Sequence, residues 1–117
     1  MLSYKNRFHG HGSLRYVYAN GNSVRTQKIV VKFTKNQRRK DSRFAVVISK
    51  KVLKSAVGRN RIRRRVYEII RNELPKIDGT FDVVVLIFHK SVKDIPHKEL
   101  KETLINTFKE ADFYCNK

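Results

Sequence analysis

An α+β fold is what this sequence predicts, a small sheet covered by helices in the order helix, two or three strands, helix, strand, helix. Three observations carry that expectation. Two segments space their apolar residues at the helical period of about 3.6, three short runs are rich in β-branched and aromatic residues, and Gly or Pro stands at most boundaries between them. The 117 residues form one domain, 1–117, because no Gly/Ser-rich or Pro-rich linker divides them. Residues 1–12 are expected to be a flexible lead-in.

Leu14, Val17 and Tyr18 recur at helical spacing, Ser13 stands where a cap belongs, and Gly21 follows as a residue tolerant of positive φ. A short first helix is expected there. Asn22 to Arg25 is a candidate short strand, and Ile29-Val30-Val31-Lys32-Phe33-Thr34 is a longer one. Lys35 to Arg43 reads as a basic loop. Phe44-Ala45-Val46-Val47-Ile48-Ser49 is apolar on both alternating faces, the pattern of a central strand. From Arg59 to Leu74 the apolar residues Ile62, Val66, Ile69, Ile70 and Leu74 follow the helical period, and Pro75 stops the helix because it lacks an N–H and crowds the preceding turn. Asp78-Gly79 marks a turn, and Phe81 to Phe88 reads as the last strand. Pro96 opens a final helix whose stripe is Leu100, Leu104, Phe108 and Ala111. If the strands on either side of the long helix are parallel neighbours, the general rule makes their crossover right-handed.

Composition narrows the function. Lys and Arg number 27 against 10 Asp and Glu, and the net charge of +17 repels itself unless a polyanion neutralises it. The 40% of hydrophobic residues still suffices for a modest core, which separates this chain from disordered basic tails. The longest apolar run, Val83 to Phe88, is six residues, short of the roughly 18 that span a bilayer. No membrane partner is expected. Cys115 has no second cysteine to pair with, and a reducing, cytoplasmic setting fits.

The charge is concentrated. Lys50, Lys51, Lys54, Arg59, Arg61, Arg63, Arg64 and Arg65 fall within one stretch that contains no acid. On a helical wheel Ile62, Val66, Ile69 and Ile70 share one side, while Asn60, Arg63, Arg64, Tyr67 and Arg71 cluster on a neighbouring face. Uncompensated like charges a turn apart destabilise a helix by a few tenths of a kcal/mol per pair, so stability alone does not account for them. Guanidinium forks bind phosphate bidentately and stack on bases, which suits this face to RNA.

The run Arg43-Phe44-Ala45-Val46-Val47-Ile48-Ser49-Lys50-Lys51, followed by Arg59-Asn60-Arg61-Ile62-Arg63-Arg64, closely resembles the signature of the bacterial ribonuclease P protein subunit. The likeness extends to Arg7-Phe8, to Leu14, Val17, Tyr18 and Gly21-Asn22-Ser23-Val24, and to Asp82-Val83-Val84-Val85, so it covers nearly the whole chain. It implies a two-layer α/β sandwich with a mixed sheet and a left-handed βαβ crossover. It also implies a division of labour in which a catalytic RNA removes the 5′ leader of precursor tRNA with bound magnesium. The protein binds the RNA and the leader and supplies no catalytic side chain.

Carried over by position, the RNA-binding set is Lys50, Lys51, Arg59, Asn60, Arg61, Arg63, Arg64 and Tyr67. The leader-binding cleft, between the first helix and the sheet, maps to Leu14, Tyr18, Val30 and Lys32. Tyr18 would stack on a base and Lys32 would meet a phosphate. The resemblance also implies that magnesium is held mainly by the RNA, in agreement with the ten acids, which form no paired cluster in sequence, and with His9 and His11, which lack further ligands. The competing reading is a ribosomal or general RNA-binding protein of similar fold with no share in tRNA processing.

Overall fold

A computed structural model describes residues 6, 8, 12–26, 28–36, 41–77, 79–111, 113 and 114. The expectations attached to His9, His11, Arg38, Arg39, Lys40 and Cys115, and to the capping side chain of Ser13, lie outside the described residues. The order is α1 (Gly12–Asn20), β1 (Asn22–Arg25), β2 (Ile29–Lys35), β3 (Arg43–Ile48), α2 (Ala56–Glu73), β4 (Phe81–Ile87) and α3 (His97–Glu110). Short 3-10 turns cover Leu74–Lys76 and Lys90–Asp94. Among the described residues no helix is long and apolar enough to cross a membrane.

The four strands form one mixed sheet in the order β1-β2-β4-β3, antiparallel except for the parallel β3–β4 pair. This corrects one expectation, because the Phe44–Ser49 strand lies at the edge and β4 occupies the centre. The edge strand nonetheless reads as buried on account of what covers it. Phe44, Val46 and Ile48 point into the core, and the outward N–H of Val46 donates to the hydroxyl of Tyr67 on α2 at 3.3 Å. A free ladder group on an edge is thus satisfied by a side chain. Strands β3 and β4 with α2 between them make the βαβ unit for which the resemblance implies a left-handed crossover.

Alternation along the strands sorts the sheet into two faces. Ile29, Val31, Phe44, Val46, Ile48, Phe81, Val83, Val85 and Ile87 meet the stripes Ile62-Val66-Ile69-Ile70 of α2 and Leu100-Leu104-Phe108 of α3. Phe113, fully buried, completes this layer with its ring 4.6 Å from Phe81, 5.0 Å from Phe33 and 5.3 Å from Phe108. On the opposite face α1 packs Val17 over β2 and β4, where Val30 and Val84 are buried. Gly21 makes the turn from α1 into β1 so tight that a Cβ there would stand 2.5 Å from the Val17 carbonyl oxygen.

Helix α2 starts a turn earlier than its apolar period indicates. Ser55 caps it, its hydroxyl accepting from the Gly58 N–H at 3.0 Å. The last helix begins directly after Pro96, as expected. Within the lead-in, residues 1–12, Asn6 and Phe8 contact the rest of the domain. Buried Asn6 donates to the Ser42 carbonyl at 2.8 Å, and the Phe8 ring lies 4.9 Å from the Arg43 guanidinium.

Candidate RNA interface

The basic stretch divides into cations that hold the fold and cations that face outward. Arg59 donates from Nη1 to the carbonyls of Leu53 and Lys54, both at 2.8 Å, and so fastens the loop that leads into α2. Arg65 donates to the carbonyls of Val92, Lys93 and Ile95, which fastens the Lys90–Asp94 turn against the helix. Arg63 donates to Oδ1 of Asn60 one turn earlier. Arg43, from the basic loop, is buried with Asp82 in a bidentate pair, Nε to Oδ1 at 2.9 Å and Nη2 to Oδ2 at 2.6 Å. Asn36 adds a donor to Oδ2 at 2.8 Å.

Arg61 and Arg64 remain. Both are exposed and make no hydrogen bond or ion pair with the described residues, and they stand three apart on one face of α2. Lys50 and Lys51 are exposed in the turn after β3, which is closed by the N–H groups of Val52 and Leu53 donating to the Ser49 carbonyl at 3.1 and 3.2 Å. Lys54 is exposed beside them. With Asn60 and Arg71 also exposed, α2 presents a cationic surface on which Glu68, paired to Arg71 at 2.6 Å, is the acid. Tyr67 is half-buried against the core, and its hydroxyl is the acceptor for β3.

The expected leader cleft is assembled in part. Tyr18 is 37% exposed and Lys32 places its ammonium 5.5 Å from the Tyr18 ring centroid, a cation–π contact across the junction of α1 and β2. Partial burial raises the Tyr18 pKa, so the phenol stays protonated at neutral pH. Leu14, one helical turn before Tyr18 on α1, is half-buried, whereas Val30 is buried on the face of the sheet that α1 covers. Ala45, Val47 and Leu86 are half-buried on the same face and continue it beyond α1.

Sequence reasoning did not single out Arg65 as a fastening residue, Phe88 with Arg25, or Tyr114. The wheel contained a signal for Arg59 and Arg65. At about 100° per residue Arg59 falls between Val66 and Ile70, and Arg65 lies within about 40° of Ile69, whereas Arg64 lies opposite the stripe. Among the described residues no group of three or more His, Cys, Asp or Glu side chains is placed to hold a metal.

Comparison with known proteins agrees with the geometry. The sequence model of the Ribonuclease P family matches residues 2–112. The ribonuclease P protein component of Clostridium botulinum (Loch Maree) is 34% identical over 110 residues, covering 94% of this chain and 97% of the relative. That of Fusobacterium nucleatum is 32% identical over 103 residues, covering 86% and 91%. The solved RNase P protein of Thermotoga maritima superimposes with a TM-score of 0.75 at 28% identity, over 86% of this chain and 92% of that one. For the Staphylococcus aureus RNase P protein the TM-score is 0.77 at 27% identity, over 100% and 98%. A nearly full-length match of sequence and fold, joined to an acid-poor arginine helix, places this chain in the ribonuclease P protein component family.

Proposed function

We propose that this chain, as the accessory subunit of ribonuclease P, binds the catalytic RNA through the outward face of α2 and the 5′ leader of precursor tRNA on the α1 face of the sheet. One observation carries the reading. Of the arginines in and beside the basic stretch, the fold consumes Arg43, Arg59 and Arg65 in internal contacts and leaves Arg61 and Arg64 without a partner among the described residues, next to Lys50 and Lys51. Unpaired cations on a rigid helix are suited to phosphates, where they release counterions and lower repulsion between converging strands.

The protein has no part in bond cleavage. Its contribution is positional and electrostatic: Tyr18 offers a stacking surface, Lys32 offers a charge, and the arginine face fixes the orientation of the RNA. Magnesium supplies the metal chemistry and is held by RNA, and the work is done in the cytoplasm. The test is cleavage of precursor tRNA at low magnesium by the ribonuclease P RNA of the same organism, with protein, without it, and with protein alone. Activity restored only by the pair is the expected result. A folded protein that gives no stimulation overturns the reading and leaves a general RNA-binding module in its place.

A further inference from the structure

The helix side of the sheet, across from the α1 face, holds a cavity that neither the arginine face nor the cleft uses. It lies between the β1–β2 turn and the first turns of α3 and has a volume of about 230 Å³. Buried Ile29 and Leu100 and half-buried Ile95 give it an apolar floor. Thr26, Lys28, Glu99 and Thr103 complete the wall. Hydrogen bonds fix that wall in place. The Thr26 hydroxyl donates to the Ile29 carbonyl at 2.9 Å and accepts from the Ile29 N–H at 3.1 Å, and the Thr103 hydroxyl donates to the Glu99 carbonyl at 3.0 Å. Arg65 fastens another side to α2, its Nη2 donating to the Ile95 carbonyl. With both hydroxyls engaged, the free side-chain groups of the cavity are the Lys28 ammonium and the Glu99 carboxylate. Neither forms an ion pair with any described residue, nor do they pair with each other.

We infer that this cavity binds a single guanine base. Its volume is small beside the roughly 300–1,000 Å³ of pockets for drug-sized ligands, and it suits one planar ring system. The apolar floor takes the face of the ring, and the charged groups read its edge. A carboxylate offers two acceptors side by side and an ammonium offers donors only. Among the four RNA bases guanine alone presents two adjacent donors, N1–H and the 2-amino group, next to an acceptor, O6. Glu99 takes the two donors and Lys28 the acceptor. Cytosine and adenine bring one amino group to the carboxylate and uracil one imide N–H, so each leaves a carboxylate oxygen unpaired, a loss that a site built on hydrogen bonds converts into discrimination. The base belongs either to an unpaired guanosine of an RNA held on α2, to which Arg65 ties the cavity, or to a free guanine nucleotide. Exposed Lys93 and Lys98, on the segments that lead to Ile95 and Glu99, supply positive charge for the phosphate in both cases.

Equilibrium dialysis of the full chain against GMP, AMP, CMP and UMP tests the site, at about 0.5 M salt to screen the general attraction of phosphate for the protein. GMP is retained better than the other three by about tenfold or more. Inosine monophosphate, which keeps O6 and N1–H and lacks the 2-amino donor, binds about tenfold more weakly than GMP, a comparison that needs no altered protein. Glu99→Gln and Lys28→Met each bring GMP down towards the level of AMP and keep a cooperative melt by circular dichroism, since neither side chain has a partner in the fold to lose. Repeating the dialysis with the protein bound to its catalytic RNA separates the sources. GMP excluded there means that the RNA supplies the guanosine, and GMP retained means that the free nucleotide is the ligand. Equal retention of the four nucleotides, or GMP binding unchanged by Glu99→Gln, overturns the site. Either result leaves the arginine face and the leader reading as they stand, because both lie elsewhere on the molecule.

Discussion

Asp82→Asn tests whether Arg43 belongs to the core or to the RNA surface. In the folded chain both side chains of the pair are nearly inaccessible, 8% exposed for Arg43 and 6% for Asp82. The substitution keeps the shape of Asp82 and removes its charge, which strands a buried guanidinium that cannot shed its proton. Removing one partner of a buried ion pair costs about 3–5 kcal/mol. With an unfolding entropy of about 2.1 cal/mol/K per residue, roughly 0.25 kcal/mol/K for this domain, the melting temperature should fall by about 12–20 °C. The double variant Arg43→Met with Asp82→Leu removes both charges and should recover most of that loss. Circular dichroism melts of the three proteins decide the matter, paired with RNA affinity measured across salt concentration. The double variant keeps the original salt slope if Arg43 is internal. A shift below about 4 °C for Asp82→Asn, or a salt slope that drops in the double variant, would falsify the assignment of Arg43 to the core.

The arginines of α2 should separate in the same two assays. Arg61→Ala with Arg64→Ala should lower the log-log salt slope of RNA binding by about two contacts at 0.7 to 0.9 each, with stability within about 0.5 kcal/mol of the original. Arg65→Ala should do the reverse, costing about 1–2 kcal/mol and accelerating amide exchange in the Lys90–Asp94 turn, because its charge-assisted bonds to three carbonyls are lost. Phe113→Ala should cost about 3–5 kcal/mol by chemical denaturation, since the ring is fully buried among Phe33, Phe81 and Phe108. Tyr114 gives a pH test. Burial and the donor bond from its hydroxyl to Glu73 at 2.8 Å raise its pKa, so its contribution is complete below the unfolded value of about 10 and is lost as pH rises above it. Tyr114→Phe should flatten that alkaline fall in stability, and an unchanged profile would show the bond to be without effect.

The element order and the outward arginine face were legible because periodicity and charge are local properties of the chain. Helix α2 announced itself through Ile62, Val66, Ile69 and Ile70, which are buried as a set. Strand order was not legible. The alternation of Phe44, Val46 and Ile48 records that the strand is covered, and it reads the same whether a strand or the Tyr67 hydroxyl meets the outer edge. The fate of each arginine was hidden for a related reason. Arg65 and Arg43 bond to backbone or acid remote in sequence and Arg59 to carbonyls five and six residues back, and although the wheel sets Arg59 and Arg65 near the apolar stripe, no local pattern reveals which carbonyls a fold will leave unpaired. Of the residues expected to line the cleft, Tyr18 and Lys32 meet across α1 and β2, and Val30 is buried.

The position of β4 governs when the molecule can exist. Strands β2 and β3 precede it in the chain, yet they are joined only through it. Until residues 81–87 have emerged from the ribosome, the nascent chain can close the β1–β2 hairpin and little else, while the arginines of α2 emerge ahead of β4 with their apolar stripe uncovered. Closing the sheet brings together segments separated by some 40 to 60 residues, a slow step by the ordinary relation between contact order and rate. The emerging chain therefore carries its strong positive charge before the sheet can close. The phosphodiester backbones that attract a cationic folded surface attract a cationic unfolded chain as well, so the charge of this protein acts on RNA before its binding surface has taken shape.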